Sequence, residues 1–270
     1  MKKTILVLTL VALSTVFLSA CSKKDEELNA NPKTFVLVHG AWQAPYVWDA
    51  VKANLQKQGA QVITVELPGH GADQSAPQTL TLDVYRDNVI EALSKVNGKV
   101  ILVGHSLGGM VISAVAERVP SKIEKLVYIA AYLPVSGQSL KDLAQTDKDS
   151  QLSTALIPSA DQLTFDVAQA QLVNIFIEDG SDAVKKLVLQ NYRPEPAIPF
   201  TNAVSLTASN YGSVAKVYIK TLQDHAVSPA LQASMIKASG VKSVYQLDTS
   251  HSPFLSKPDA VSSLLSQIAQ

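Results

Sequence analysis

The stretch KVILVGHSLGGMVISAVAERV, residues 99–119, joins a continuous apolar run to a helix-forming one through a glycine-rich turn. KVILV is apolar from its second residue on, as expected of a strand buried on both faces. From Ser106 onward, small and apolar residues recur at helical spacing as far as Val119. The turn between them, Gly104-His105-Ser106-Leu107-Gly108, has the form G-x-S-x-G. Five residues alone are a weak signal; a strand before and a helix after give the pattern its meaning. So tight a turn holds the serine in a strained backbone conformation. Its small flanking residues let strand and helix approach, and the hydroxyl then faces the space above the strand ends, near a helix N-terminus.

The same alternation extends outward in both directions. TFVLV (34–38), QVITV (61–65) and IEKLVYIA (123–130) read as strands, and residues 46–58 and 81–96 as helices. LPGHG (67–71) marks a loop. Later come a strand in SVAKVYIK (213–220), a helix over 228–238, a strand over 241–247 and a final helix over 257–269. This order predicts an α/β domain over 34–270 with a mostly parallel, doubly wound sheet and helices on both faces. Residues 133–207 break the pattern with scattered prolines, short amphipathic stretches and no clear strand. They are too many for a plain connection and read as a mainly helical cap above the sheet.

Composition supports one sizeable core. Of 270 residues, 47% are hydrophobic and 17% charged. Lys+Arg and Asp+Glu both number 23, which gives no reason to expect a nucleic-acid or polyanionic partner. The N-terminus reads separately. Lys2 and Lys3 precede an apolar run over 4–18, too short for a confident membrane span. Leu18-Ser19-Ala20-Cys21 then resembles the lipobox of bacterial lipoproteins. That resemblance implies a signal peptide over 1–21, lipidation of Cys21 and a place in the cell envelope. Ser22 after it implies the outer membrane, with residues 22–33 (SKKDEELNANPK) as a polar tether. Cys21 is the only cysteine, so no internal disulfide forms.

A serine hydroxyl needs a base to act as a nucleophile. The chain has five histidines: His39, His70, His105, His225 and His251. His105 adjoins the serine and should point away from it. His39 and His70 precede it, in loops after the first two strands, and His39 reads as a turn-stabilising residue. His251 follows the last strand and fits the order serine, acid, histidine. The acid should sit at a strand end between them. Asp224, one short loop beyond VYIK (217–220), fits; Asp248, three residues from His251, fits better as a turn organiser. The oxyanion of an acyl-transfer intermediate needs two backbone donors. Leu107, after the serine, offers one, and Ala41, in the loop after the first strand, the other. Gly40 lets that loop pass close to the site.

FVLVHGAW (35–42), LPGHG (67–71), LVGHSLGGMV (102–111), YIAAYLP (128–134), LQDHAVSP (222–229) and HSPFLSKP (251–258) occur in this order. Together they resemble the α/β-hydrolase family of plant methylesterases and hydroxynitrile lyases, with its bacterial esterase and pyrethroid-hydrolase-like relatives. The resemblance covers about residues 34–269 and is weakest in the cap. It implies an α/β-hydrolase fold, a triad of Ser106, Asp224 and His251, and oxyanion donors at Ala41 and Leu107. The lyase branch carries Lys directly after the histidine and Thr after the first-strand His; here those positions are Ser252 and Gly40.

The expected activity is therefore a serine carboxylesterase acting on small to medium hydrophobic esters. Two alternatives stay open: lyase-like cleavage with the same triad, and a non-catalytic ligand-binding lipoprotein on the same fold. No cofactor is expected, and no metal, since no His/Cys cluster has ligand spacing. The partners expected are an ester substrate and, through Cys21, membrane lipid. Gly40, Trp42, Tyr132 and Phe176 are candidates for the substrate pocket. Leu156, Ile157, Phe165, Ile177 and Tyr192 of the cap are further candidates, although for each alone packing of the cap onto the domain is the better reading.

Overall fold

The central strand runs from Val100 to His105, two residues further than its apolar run, and carries the G-x-S-x-G turn at its C-terminal end. The computed structural model describes residues 32–270. The predicted leader, Cys21 and all but the last two tether residues lie outside that range. The strands of the main sheet are β1 (Thr34–Val38), β2 (Gln61–Val65), β3 (Val100–His105) and β4 (Ile123–Ile129). Three cap strands follow: β5 (Leu156–Pro158), β6 (Thr164–Val167) and β7 (Glu195–Pro196). The main sheet is then completed by β8 (Ala215–Thr221) and β9 (Ser243–Leu247). Its order is β2-β1-β3-β4-β8-β9, and every neighbouring pair is parallel.

Helices α1 (Asp49–Lys57), α2 (Leu82–Ser94) and α3 (Gly108–Arg118) precede the cap. The cap carries α4 (Leu140–Thr146), α5 (Leu172–Phe176) and α6 (Asp182–Asn191); α7 (Pro229–Ser239) and α8 (Pro258–Ile268) follow it. The side-chain alternation of buried strands assigns the faces. Phe35, Leu37, Ile101, Val103, Val127 and Ile129 share a core with Val51 and Leu55 of α1 and Val261 and Leu265 of α8. Val36, Leu102, Leu126 and Tyr128 share the opposite core with α2, α3 and α7. Each fully buried aliphatic side chain contributes roughly 1.5–3 kcal/mol, so the two faces fix the sheet's register firmly. Local signals set the helix ends. Thr81 Oγ1 accepts from Val84 N–H to start α2. Ser228 and Pro229 start α7, and Gly240 ends it at φ 66°.

The cap, read from the sequence as mainly helical with no clear strand, also contains strands. Strands β5, β6 and β7 form a three-stranded antiparallel sheet within it. They are only two to four residues long and include Pro158 and Pro196, so no alternation shows in the sequence. Residues of α4 and α5, with Phe200, join the same core as Leu107 and Met110. The cap thus packs directly over the serine turn. Every sequence-predicted catalytic residue lies just past the C-terminal end of a sheet strand, where parallel sheets place their ligand sites.

Candidate active site

Ser106 has φ 51°, a left-handed conformation that costs a non-glycine residue about 1–2 kcal/mol. Three backbone bonds hold it there. Its N–H donates to Ile129 C=O at 3.4 Å, and its C=O accepts from Gly109 and Tyr132 N–H at 3.0 and 3.1 Å. The flanking glycines are steric requirements. A Cβ on Gly104 would lie 2.6 Å from the Gly108 carbonyl oxygen, and one on Gly108 would lie 2.9 Å from that of His39. The helix expected from Ser106 starts at Gly108 because the strained serine cannot be its first residue.

Asp224 and His251 meet as the sequence order predicted. His251 Nδ1 lies 2.8 Å from Asp224 Oδ2, and both residues are buried. Oδ2 also accepts from Thr221 Oγ1 at 2.8 Å and Gln232 Nε2 at 3.3 Å. Oδ1 accepts from Ala226 and Val227 N–H at 2.8 and 2.9 Å. A carboxylate surrounded by donors is an acceptor only, so His251 carries its proton on Nδ1 and leaves Nε2 free as a base. Asp248 is exposed and accepts from Gln223 Nε2 at 2.9 Å, in keeping with a turn role. His225 faces the Asn174 carbonyl of the cap at 3.0 Å.

His105 supports the base from the other side. Its Nε2–H donates to His251 C=O at 3.0 Å, and the two rings lie 4.5 Å apart. Burial, then the neighbouring His251 and His39, hold His105 well below the usual histidine range. Serine and base are therefore carried on one packed unit. Among the described residues Ser106 Oγ makes no hydrogen bond; resting sites often leave this contact long and close it on substrate.

Ala41 and Leu107 both stand ready as donors. Among the described residues, neither backbone N–H donates to a protein acceptor, although Ala41 is 5% exposed and Leu107 fully buried. Gly40 lies directly on the nucleophile, since a Cβ there would be 2.7 Å from Ser106 Cβ. His39 Nδ1–H donates to Gly40 C=O at 2.9 Å, while its Nε2 accepts from Leu67 N–H at 3.2 Å. One donor and one acceptor contact define a neutral ring. Burial, aided by the charge of His70, depresses the His39 pKa to about 3. Gly40 C=O and Ala41 N–H belong to one planar trans peptide, so fixing the carbonyl fixes the amide in the opposite direction. The turn-stabilising role read for His39 thus aims the candidate oxyanion donor.

A largely apolar cavity of about 250 Å³ opens beside the site. Tyr132, Leu140, Leu152, Leu156, Phe165 and Phe200 line it. The triad does not line it; the connection runs through Tyr132, whose N–H holds the serine carbonyl, and through Trp42, which packs on Phe200 and Phe176. Phe176 in turn packs on the His251 ring at 5.9 Å. Three cap candidates fall elsewhere, among them Ile177, which is fully buried away from the cavity. Ile157 is 51% exposed, because the short strand β5 turns it outward. Tyr192 donates its hydroxyl to Asp166 and lines a separate cleft with Glu66 and Arg193. The sequence reading passed over Glu195, a fully buried cap carboxylate that accepts from Trp42 N–H at 2.8 Å. No spacing or motif marks it, since it lies in a two-residue strand 153 residues from its partner.

Comparison with known proteins agrees with this geometry. A profile described as the Alpha/beta hydrolase family matches residues 35–264. The chain is 32% identical over 251 residues to putative methylesterase 14, chloroplastic, of Arabidopsis thaliana, covering 88% of this chain and 72% of the relative. An extracellular α/β-hydrolase from a Paenibacillus species, described as sharing structural and functional homology with tobacco salicylic acid binding protein 2, is 28% identical with a TM-score of 0.74. That match covers 87% of this chain and 98% of the other. A pyrethroid hydrolase from Sphingobium faniae JZ-2 superposes with a TM-score of 0.80 over 88% of this chain and 98% of its own, at 23% identity, which shows the fold alone. The sheet, the strained serine turn and these matches agree: the chain belongs to the α/β-hydrolase family.

Proposed function

We propose that this protein is a serine carboxylesterase for small to medium hydrophobic esters, acting through an acyl-enzyme on Ser106. The observation that carries this reading is the buried 2.8 Å Asp224–His251 contact beside a serine at φ 51°. His251 Nε2 takes the hydroxyl proton as Ser106 Oγ attacks the ester carbonyl carbon. The negative charge on the carbonyl oxygen is met by the Ala41 and Leu107 amides. The C–O bond to the alcohol then breaks, and His251 returns the proton to the leaving oxygen. Water attacks the acyl-enzyme by the same route and frees the acid and Ser106. The apolar cavity suits a hydrophobic acyl or alcohol group. The relative's name, putative methylesterase, points the same way.

Lyase chemistry is disfavoured by the residue after the base. Ser252 is fully buried and accepts from Gln43 Nε2 at 2.9 Å, so a neutral hydroxyl stands where the lyase branch carries a lysine cation. The test compares the full chain with Ser106→Ala on nitrophenyl acetate and butyrate, methyl esters and mandelonitrile. Ester hydrolysis abolished by Ser106→Ala, with mandelonitrile untouched, supports the reading. Equal ester hydrolysis by both proteins contradicts it, and mandelonitrile cleavage favours the lyase. We propose separately that a lipid on Cys21 holds the enzyme at the cell envelope; Lys2, Lys3, the apolar run and the Leu18–Cys21 motif support this. Cys21→Ser should release it from membrane fractions; a protein that stays bound argues against the anchor.

A further inference from the structure

Glu195 is the one cap carboxylate with no exposed surface, and it is spent on two donors from the hydrolase core. Its Oε2 accepts from Trp42 N–H at 2.8 Å and from His70 Nε2–H at 2.7 Å. The other His70 nitrogen, Nδ1, lies 3.1 Å from Pro68 C=O. Both nitrogens face acceptors, so the ring satisfies both only when doubly protonated. Burial alone would lower the His70 pKa, but the Glu195 charge and hydrogen bond outweigh it and hold the group above its usual value. His70 and Glu195 therefore form a buried ion pair, while His39, 4.9 Å away by ring centroids, stays neutral.

Such a pair is weak evidence for stability. Desolvating two charges offsets most of their attraction, and an apolar pair of similar volume often does as well. The second oxygen, Glu195 Oε1, is also buried, with the buried Tyr85 hydroxyl beside the carboxylate as a further donor. What the pair does provide is an acceptor at one point in space. Trp42 stands at φ 58°, a left-handed conformation unfavourable for a bulky side chain. It immediately follows Ala41. Its backbone N–H is held by Glu195, and its indole Nε1–H donates to Phe165 C=O at 2.9 Å. Phe165 and Glu195 are register partners across β6 and β7. A single rung of the cap sheet thus grips both ends of Trp42. Arg193, two residues before Glu195, donates to Gly71 C=O at 2.8 Å and Asp73 C=O at 3.0 Å, fastening the same strand to the loop that carries His70.

We infer that Glu195, oriented by His70, is a positioning residue that holds the Ala41 oxyanion donor in place, so that docking of the cap sheet and assembly of the oxyanion hole are one event. This rests on the esterase reading of Ser106 and Ala41. His39 fixes the peptide before Ala41, and Glu195 fixes the amide after it; neither alone restrains both sides.

Two conservative variants separate reach from charge. In Glu195→Gln the side chain keeps its length and an oxygen for Trp42 N–H but loses its charge. Glu195→Asp keeps the charge opposite His70 but falls one methylene short. Each is assayed as the full chain on nitrophenyl butyrate for kcat and KM, and for affinity to an arylboronic acid, which forms a tetrahedral adduct on the serine. Positioning predicts that Glu195→Gln stays within about threefold of wild type. Glu195→Asp should lose about tenfold or more in kcat and in boronate affinity, with KM within about twofold. Equal losses in both variants, or an Asp variant as active as wild type, overturn the inference. Thermal unfolding of each variant shows whether it is folded at the assay temperature. If Glu195→Asp is not, amide exchange of Trp42 in the wild type replaces it: strong protection supports the bond, and exchange as fast as an open loop overturns it. Wild-type turnover by Ser106→Ala instead fails the esterase reading itself, independently of Glu195.

Discussion

Replacing Gly40 by alanine adds one methyl group at the most crowded point of the site. The added Cβ would lie 2.7 Å from Ser106 Cβ and 2.7 Å from His105 Nδ1. Ordinary contact between such atoms begins near about 3.5 Å, so the loop must retreat by roughly 0.8 Å. The retreat acts on both restraints of Ala41, the proposed oxyanion donor. The His39–Gly40 bond at 2.9 Å and the Trp42–Glu195 bond at 2.8 Å would each stretch beyond useful hydrogen-bond length. Gly40 has no positive φ, so alanine adds no backbone strain and the effect is purely steric. Overpacking of this kind costs about 1–3 kcal/mol of stability. A displacement near 1 Å at a reacting centre lowers kcat by about 10²-fold. Steady-state hydrolysis of nitrophenyl butyrate, with thermal unfolding as the control, measures both. Gly40→Thr, the residue of the lyase branch, should lose at least as much ester hydrolysis. A folded Gly40→Ala protein with kcat within about threefold of wild type would refute the claim that the loop is seated on the serine.

Three further outcomes follow from the same geometry. Asp224→Asn should lower kcat by about 10³–10⁴, because an amide nitrogen facing His251 reverses the ring tautomer; Asp248→Asn should change it little, and the opposite ranking moves the acid. His39 and His105 are buried and neutral, with pKa values held below the unfolded value near 6.5, so acidification protonates the unfolded chain first and stability falls. Urea unfolding should show stability falling as pH drops from roughly 6.5 to 5, whereas His70, with its pKa raised, contributes stability that is lost as pH rises above the neutral range. A flat acid limb would mean that these rings are not buried neutral. Finally, Leu156→Trp should narrow the 250 Å³ cavity and raise KM for nitrophenyl hexanoate while sparing the acetate; equal effects on both would separate the cavity from the substrate path.

The legible parts of this chain were those with short-range signals. Strand β1 and the first four residues of β3 are nearly unbroken apolar runs, β2 and β4 are apolar with two polar residues each, and the serine turn announces itself by glycines that sterics demand at Gly104 and Gly108. The meeting of Asp224 with His251 followed from chain order, because parallel strands return every loop to the same edge of the sheet. The cap resisted for the opposite reason. Its strands are too short to show alternation, and half-exposed residues such as Phe165 carry no periodic mark. Glu195 was invisible because its meaning lies in Trp42 and His70, both more than a hundred residues earlier. Neutral His39 and charged His70 look alike in sequence; only the acceptors facing their ring nitrogens distinguish them.

The central claim is that Ser106 carries the acyl group. The most direct measurement is acid quenching of the full chain during turnover of nitrophenyl butyrate, followed by peptide mass mapping. A butyryl adduct on the peptide containing Ser106, absent from Ser106→Ala and accumulating in proportion to an initial nitrophenol burst, is the predicted result. Turnover that persists in Ser106→Ala, or an adduct on another residue, would contradict it.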